Sequence, residues 1–429
     1  MVRFMASAVA CLGLLAPALA WSQEMSPALR FRQVRAAGIA AAQADDLSTA
    51  AARLAEADAI VPNHPGLIGL RARIAAADGK PQDALEQWRR YADLGLTADP
   101  TRDPLNAGMI ALPEWSTVAQ RLAANRAPVG ALTPVATLDQ PLAIENVVRD
   151  AARDRLLVSA IAGRTILQID AQGAASPWLS ADAPVAGVLG LALDAERGLL
   201  WAASAGLGAA TPDAADPLRG QTELLKIDLA DGRLLARYRP PAAARRSLGD
   251  VAVGPDGTVY VSDSLAGDIW RLRPGAEALE ILIPTGVFGS PQGLALSADG
   301  EGLIVADYGS GLHRIDLSTW QATMMPAPPH VSLIGMDAVL RRGDRLIVVQ
   351  NGTAPKRVLE LTLSSDQTAV TGARVLGANL DAMTDPAGGS LDGADLLFVS
   401  VSQLGAYDDD GGLPNGSPPA AQIARLPLD

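Results

Sequence analysis

Four polar side chains of this 429-residue chain, Glu145, Asp250, Gln292 and Asp337, stand at corresponding places in successive copies of a repeat, each just ahead of an apolar run. Asp385 holds a looser version of the same place, and Gly190 occupies it without a side chain. Carboxylate and carboxamide oxygens converging on one point suit a hard divalent cation such as Ca²⁺ or Mg²⁺. Such an ion polarises a carbonyl and lowers the pKa of a bound water, and a carboxylate acting as base takes the water's proton. Read singly, each residue is an ordinary strand-end cap or a hydrated channel lining. Read together they carry more, because equivalent positions of a closed repeat meet in space.

Other chemistry is weakly represented. His64, His313 and His330 are scattered and make no zinc pattern. His313 reads as a structural strand residue, His330 as a loop residue and His64 as part of a turn between helices. The single cysteine, Cys11, lies in an apolar N-terminal run, so no thiol nucleophile is on offer. No glycine-rich phosphate loop precedes a helix. Asp408-Asp409-Asp410-Gly411-Gly412 lacks the spacing and final Glu of an EF-hand and reads as a solvated turn.

The elements that must position the acidic set recur from Leu132 onward. Each copy reads as an apolar strand, a turn containing Asp or Gly, a second and more apolar strand, a small polar loop, and a third strand. The second strands stand out: Leu156-Leu157-Val158, Leu199-Leu200-Trp201, Val259-Tyr260-Val261, Leu303-Ile304-Val305, Leu346-Ile347-Val348 and Leu396-Leu397-Phe398. From Leu156 the successive spacings are 43, 60, 44, 43 and 50 residues. A four-stranded propeller blade needs about 40–50 residues. The long interval reflects an Ala/Pro/Asp/Gly-rich insertion near Gly206–Gly220. Six anchors predict a mainly β chain whose residues 131–429 form a six-bladed β-propeller. The last blade lacks a fourth strand before the chain ends, and Leu132–Leu138 is a spare strand ahead of the first blade. That segment is predicted to complete the last blade and remove an exposed edge.

Composition bounds the partners. The apolar fraction of 49% supports a packed core, and a formal charge of −12 disfavours a nucleic-acid partner. Arginine carries nearly all the positive charge. The three lysines, Lys80, Lys226 and Lys356, attract no functional weight at this level. Residues 1–20 read as a secretory signal, with Arg3, an apolar run and Ala18-Leu19-Ala20 as the cleavage site. A periplasmic or secreted chain without disulfides, and with no membrane span after cleavage, is the expectation.

Residues 26–125 read as helical, being rich in Ala, Leu, Arg, Glu and Gln. A period of 34 aligns Asp46–Leu54 with Lys80–Trp88. This resembles a tetratricopeptide pair, a helix–turn–helix repeat, and implies a small N-terminal α-helical domain capped by a helix near Pro113–Asn125. A generic helical hairpin bundle is the alternative.

The propeller resembles the SMP-30/gluconolactonase/LRE-like family of calcium-dependent six-bladed propellers. The resemblance rests on Ile144-Glu145-Asn146-Val147-Val148, on Ser290-Pro291-Gln292-Gly293-Leu294-Ala295, and on Met336-Asp337-Ala338-Val339 ahead of Leu346–Gly352. It implies that Glu145, Gln292 and Asp337 hold the metal, that Asp337 doubles as the base, and that Asp250 beside Gly249 binds substrate. The family pattern has Asn where Gln292 stands, one methylene shorter, and a further Asn near Gly249. Two readings of function follow. One is a metal-dependent hydrolase of a lactone or related ester. The other is a non-catalytic scaffold whose helical repeats bind a protein or peptide.

Overall fold

The computed structural model describes residues 25–182, 184–241 and 245–429, so the expected signal at 1–20 lies outside the described residues. Six four-stranded antiparallel sheets follow one another around a ring. Their inner strands are Ile144–Asp150, Gly187–Asp194, Leu248–Val253, Pro291–Leu296, Met336–Arg342 and Gly389–Asp392, in blades 1 to 6. The last begins later than the sequence suggests, because the chain near Met383 is a turn and Asp385 makes only an isolated bridge to Val401.

The second strands read as unbroken apolar runs because both of their faces are buried. Leu156 and Val158 pack towards blade 6, while Leu157 packs towards blade 2. Ile304 and Ala306 face blade 5, while Leu303 and Val305 face blade 3. Each of the six blade-to-blade interfaces has its own apolar cluster, so the core is a ring of six sandwiched layers. Thr133–Leu138 pairs antiparallel with Ala421–Pro427 and supplies the outer strand of blade 6. The ring closes as the sequence predicts.

The helical region comprises α1 (Pro27–Gln43), α2 (Leu47–Ile60), α3 (Pro65–Ala77), α4 (Pro81–Asp93), a single turn α5 (Ala107–Ile110) and α6 (Trp115–Ala124). Local chemistry starts these helices. The Asp46 carboxylate accepts from Thr49 N at 3.0 Å, and His64 Nδ1 accepts from Leu67 N at 3.2 Å. Proline stands in the first turn of α1, α3 and α4, where its missing N–H costs nothing.

The helices do not stand apart from the propeller. Ile334 and Met324 belong to the same apolar cluster as Phe31, Leu54 and Leu67. Asn63 Nδ2 donates to Pro328 O and Val331 O at 3.2 and 3.1 Å, and Thr97 N donates to Ala354 O at 2.7 Å. These propeller groups lie in loops that lead into inner strands or join second to third strands. The helical region therefore packs on the face where the acidic set emerges. Among the described residues, no helix is long and apolar enough to cross a membrane.

Candidate active site at the channel mouth

The inner strands of blades 1 to 5 each lose register with their neighbour at one place. The irregularities fall between Ile144 and Val147, Val188 and Leu191, Leu248 and Val251, Pro291 and Leu294, and Met336 and Ala338. They bracket Glu145, Gly190, Asp250, Gln292 and Asp337. A bulge interrupts the alternation of a strand and re-aims a side chain, which here turns one residue per blade to the channel. Serines of the second strands brace two bulges, accepting from Asn146 N (Ser159 Oγ, 2.9 Å) and Asp250 N (Ser262 Oγ, 3.0 Å).

The segments leading into these strands are held by polar residues at the ends of second strands. Asp263 Oδ1 accepts from Ser247 N at 2.9 Å, and Asp307 Oδ1 from Gly289 N and Ser290 N at 2.7 and 2.6 Å. Gln350 Nε2 donates to Ser332 O and Ile334 O, and Gln403 Oε1 accepts from Leu142 N and Ala143 N. Glycine lets neighbouring inner strands approach. A Cβ on Gly190 would sit 2.6 Å from Gly249 O and 2.8 Å from Asp250 Cα, so the blade without a site side chain makes room for the next blade's acid.

Glu145, Asp250, Asp337 and Asp385 share one electrostatic environment. Blades pack around each of them, yet each keeps part of its surface open to the channel. Burial, and then the Asp337, Asp250 and Asp385 carboxylates, hold Glu145 well above the ordinary carboxylate range. Burial pushes Asp250 up to about 8, and Asp337 adds to it. Asp337 is raised to about 6 by burial and by Asp385, against the opposing Asn351 hydrogen bond and the Lys356 charge. Low-dielectric walls around the channel let these charges act on one another strongly.

Gln292 occupies its bulge, with Nε2 donating to Ser290 Oγ at 2.9 Å. Its Oε1 has no protein donor among the described residues. The donor set thus fits a hard cation in type and charge: carboxylates that repel one another and a free amide oxygen. Among the described residues, no group of three or more acidic, histidine or cysteine side chains is gathered closely enough to hold a metal ion. A site of two carboxylates and one amide, Glu145, Asp337 and Gln292, is of a different composition.

Several mouth residues carry no motif in the sequence. Tyr308 donates to Asn351 Oδ1 at 3.0 Å, and burial, then Asp337 and Asp385, push its phenol up. Lys356 Nζ lies 2.8 Å from Asp385 Oδ1, and Ser402 Oγ donates to Asp385 Oδ2. These residues lie in loops that join second and third strands, where no apolar period marks them. The remaining polar clusters are structural. His313 is buried, with Nε2 2.8 Å from Ser310 Oγ. Ser310 in turn donates to Asp307 at 2.5 Å. The serine stands between acid and imidazole, the wrong order for a nucleophilic triad. Asp408 Oδ1 accepts from Asp410 N and Gly412 N, which is a closed Asx turn.

The far end of the channel is different. It opens into a cavity of about 800 Å³ lined largely by apolar strand ends such as Val148, Leu191, Val253 and Leu296.

No family model and no curated protein matches this chain. Similar solved structures include a gluconolactonase from Xanthomonas campestris, with a TM-score of 0.44 and 17% identity, covering 70% of this chain and 95% of that one. A calcium-binding regucalcin from Agrobacterium tumefaciens has a TM-score of 0.46 and 15% identity over 70% of this chain and 95% of its own. A virginiamycin B lyase from Staphylococcus aureus has a TM-score of 0.43 and 15% identity over 70% and 99%. The neighbours thus include six-bladed propellers of the gluconolactonase and regucalcin kind. The likeness is one of fold.

Proposed function

We propose that the acidic mouth is the active site of a metal-dependent hydrolase acting on a lactone or related ester. One observation carries the reading: Glu145, Asp250 and Asp337, from three blades, are turned into one channel by bulges, and burial and neighbouring carboxylates raise their proton affinity above the ordinary range. A folded chain keeps such repulsion where it serves a site.

Glu145, Gln292 and Asp337 would hold a divalent cation, with Ca²⁺ the first candidate, and the ion when bound would supply Lewis-acid polarisation of the substrate carbonyl and a more acidic water. Asp337 would serve as the base that takes the proton of an attacking water. Asp250 keeps its proton up to about 8. It therefore donates a hydrogen bond to the ring oxygen or a hydroxyl of the substrate, and can protonate the departing alkoxide. Measuring metal content and lactone hydrolysis tests this. Glu145→Ala and Asp337→Ala should each lose both, and retention of both in the two variants overturns the reading.

A second reading has its own observation. A cleft of about 290 Å³ between α2, α3 and α4 is lined by Arg71, Asp78, Lys80, Asp83 and Glu86 around Ala51 and Ile74. Its mixed charges suit a peptide or protein segment. Capture of peptides by the full chain, abolished by Arg71→Glu, supports the scaffold role. Export to the periplasm or medium belongs to either reading, and cell fractionation tests it.

A further inference from the structure

We propose that Lys356 is a ligand-contacting residue of the mouth: its ammonium donates to the carbonyl oxygen of the bound substrate and to the carboxylate that hydrolysis leaves in its place. The inference deepens the hydrolase reading and rests on it for the identity of the ligand.

The geometry is that of a presented donor. An ammonium has three N–H groups. Among the described residues, one protein acceptor engages Lys356, Asp385 Oδ1 at 2.8 Å. Two donors therefore remain, and the side chain is 36% exposed. Its charge reaches Asp337, the residue assigned as base. The partner of the pair, Asp385, acts on both Glu145 and Asp337. Lys356 thus stands among the acids of blades 1, 5 and 6.

The loop that carries it is clamped. Thr97 N, beyond α4, donates to Ala354 O at 2.7 Å. Arg357, next to Lys356 and buried, donates to Leu94 O at 2.9 Å and to Gln350 Oε1 at 2.6 Å. Asp385 is fixed in turn by Ser402 and by Gly405 N. The helical region thereby acquires a part in the site: it holds the loop that places the ammonium. A lysine in an acidic mouth also answers a chemical need. A hydroxy-acid product bears a carboxylate, and the surrounding acids disfavour it unless a cation offsets them.

In the reaction, water adds to the carbonyl carbon as the C=O electron pair moves onto oxygen, where Lys356 donates. Asp337 receives the water's proton. Collapse breaks the ring C–O bond, and the alkoxide takes the proton of Asp250. The products are one hydroxy acid per lactone and water consumed.

The test uses the full chain and sodium gluconate, a six-carbon aldonate, as the probe, with binding read by calorimetry and folding by thermal melting. Wild type should bind. Lys356→Met should weaken binding about tenfold or more, as loss of a charge-assisted hydrogen bond does. Lys356→Arg should retain most of it. Asp385→Asn, which breaks the same ion pair but frees the ammonium, should tighten it. A merely structural pair predicts that Lys356→Met and Asp385→Asn weaken binding alike, and that result overturns the proposal. So does a wild type that does not bind. If Lys356→Met does not fold, tighter binding by Asp385→Asn beside near-native binding by Lys356→Arg still decides, and weaker binding by Asp385→Asn overturns the proposal. Binding with these signs in a protein that hydrolyses no lactone would keep Lys356 as the anion donor and discard the hydrolase reading.

Discussion

Both the rims of the blades and the channel mouth draw carboxylates into the protein, but they neutralise them differently. Outside the channel, Arg246 serves the fully buried Asp263 and Asp268 together, Glu360 meets Arg342, Arg345 and Arg374, and Glu223 meets Arg237 and Arg239. At the mouth, four acids face one another with Lys356 as the paired cation. The first arrangement is architecture, since a buried charge must be matched. The second leaves most of the repulsion in place, and it is there that burial and like charge raise the proton affinity of carboxylates. The contrast separates structural acids from site acids without appeal to any relative.

The largest effect expected from breaking this contrast is in the rim. Arg246→Ala leaves Asp263 and Asp268 buried without their counter-charge and should cost about 3–5 kcal/mol of stability by denaturant unfolding. At the mouth the opposite holds. In protein stripped of metal, Asp337→Asn removes one of the repelling charges, so melting should hold or rise. Lactone turnover should fall by about 10²–10⁴-fold, the share of a general base. If Asp337→Asn unfolds the protein as Arg246→Ala does, the division between the two kinds of acid is wrong.

The next effect is one of packing. Gly190→Ala drives a methyl into Gly249 O and Asp250 Cα, backbone atoms that cannot swing away. A loss of about 1–3 kcal/mol in stability is expected, with a larger loss of activity than of melting temperature if Asp250 is displaced. Comparison with Gly198→Ala, where the added methyl meets nothing but the backbone is left-handed, isolates the steric part.

Dependence on pH is subtler. The folded protein keeps protons on Asp337 and Asp250 up to about 6 and about 8, where the unfolded chain has lost them near 4. The folded form thus binds more protons between these limits, so their contribution to stability declines as pH rises from about 4 to about 8. Asp250→Asn should flatten the upper part of that slope. The rate at low substrate should fall above about pH 8, as Asp250 loses its proton. The smallest effect belongs to Tyr308→Phe, which deletes the 3.0 Å bond to Asn351. It should cost about 0.5–1.5 kcal/mol of stability in chemical unfolding.

The blades were legible because their signal is covalently local. Leu156-Leu157-Val158 and its five counterparts must be apolar on both faces wherever they sit between two sheets, so the repeat and its six-fold count lie in the chain itself. The spare strand at Thr133–Leu138 followed from counting. So did the polar residues ahead of the inner strands, because a repeat converts sequence position into place. Lys356 and Tyr308 were not legible. They stand in strand-joining loops of unequal length, where neither period nor spacing says which way a side chain faces. The docking of the helices was hidden for a related reason. Ile334 reads as one more propeller loop residue until Phe31 and Leu67 close over it. Residue type and repeat position decided how many blades form and which acids face the axis. Only the folded ring decided how strongly those acids feel one another, and which lysine stands among them, because charge interaction depends on distances and burial that arise between blades.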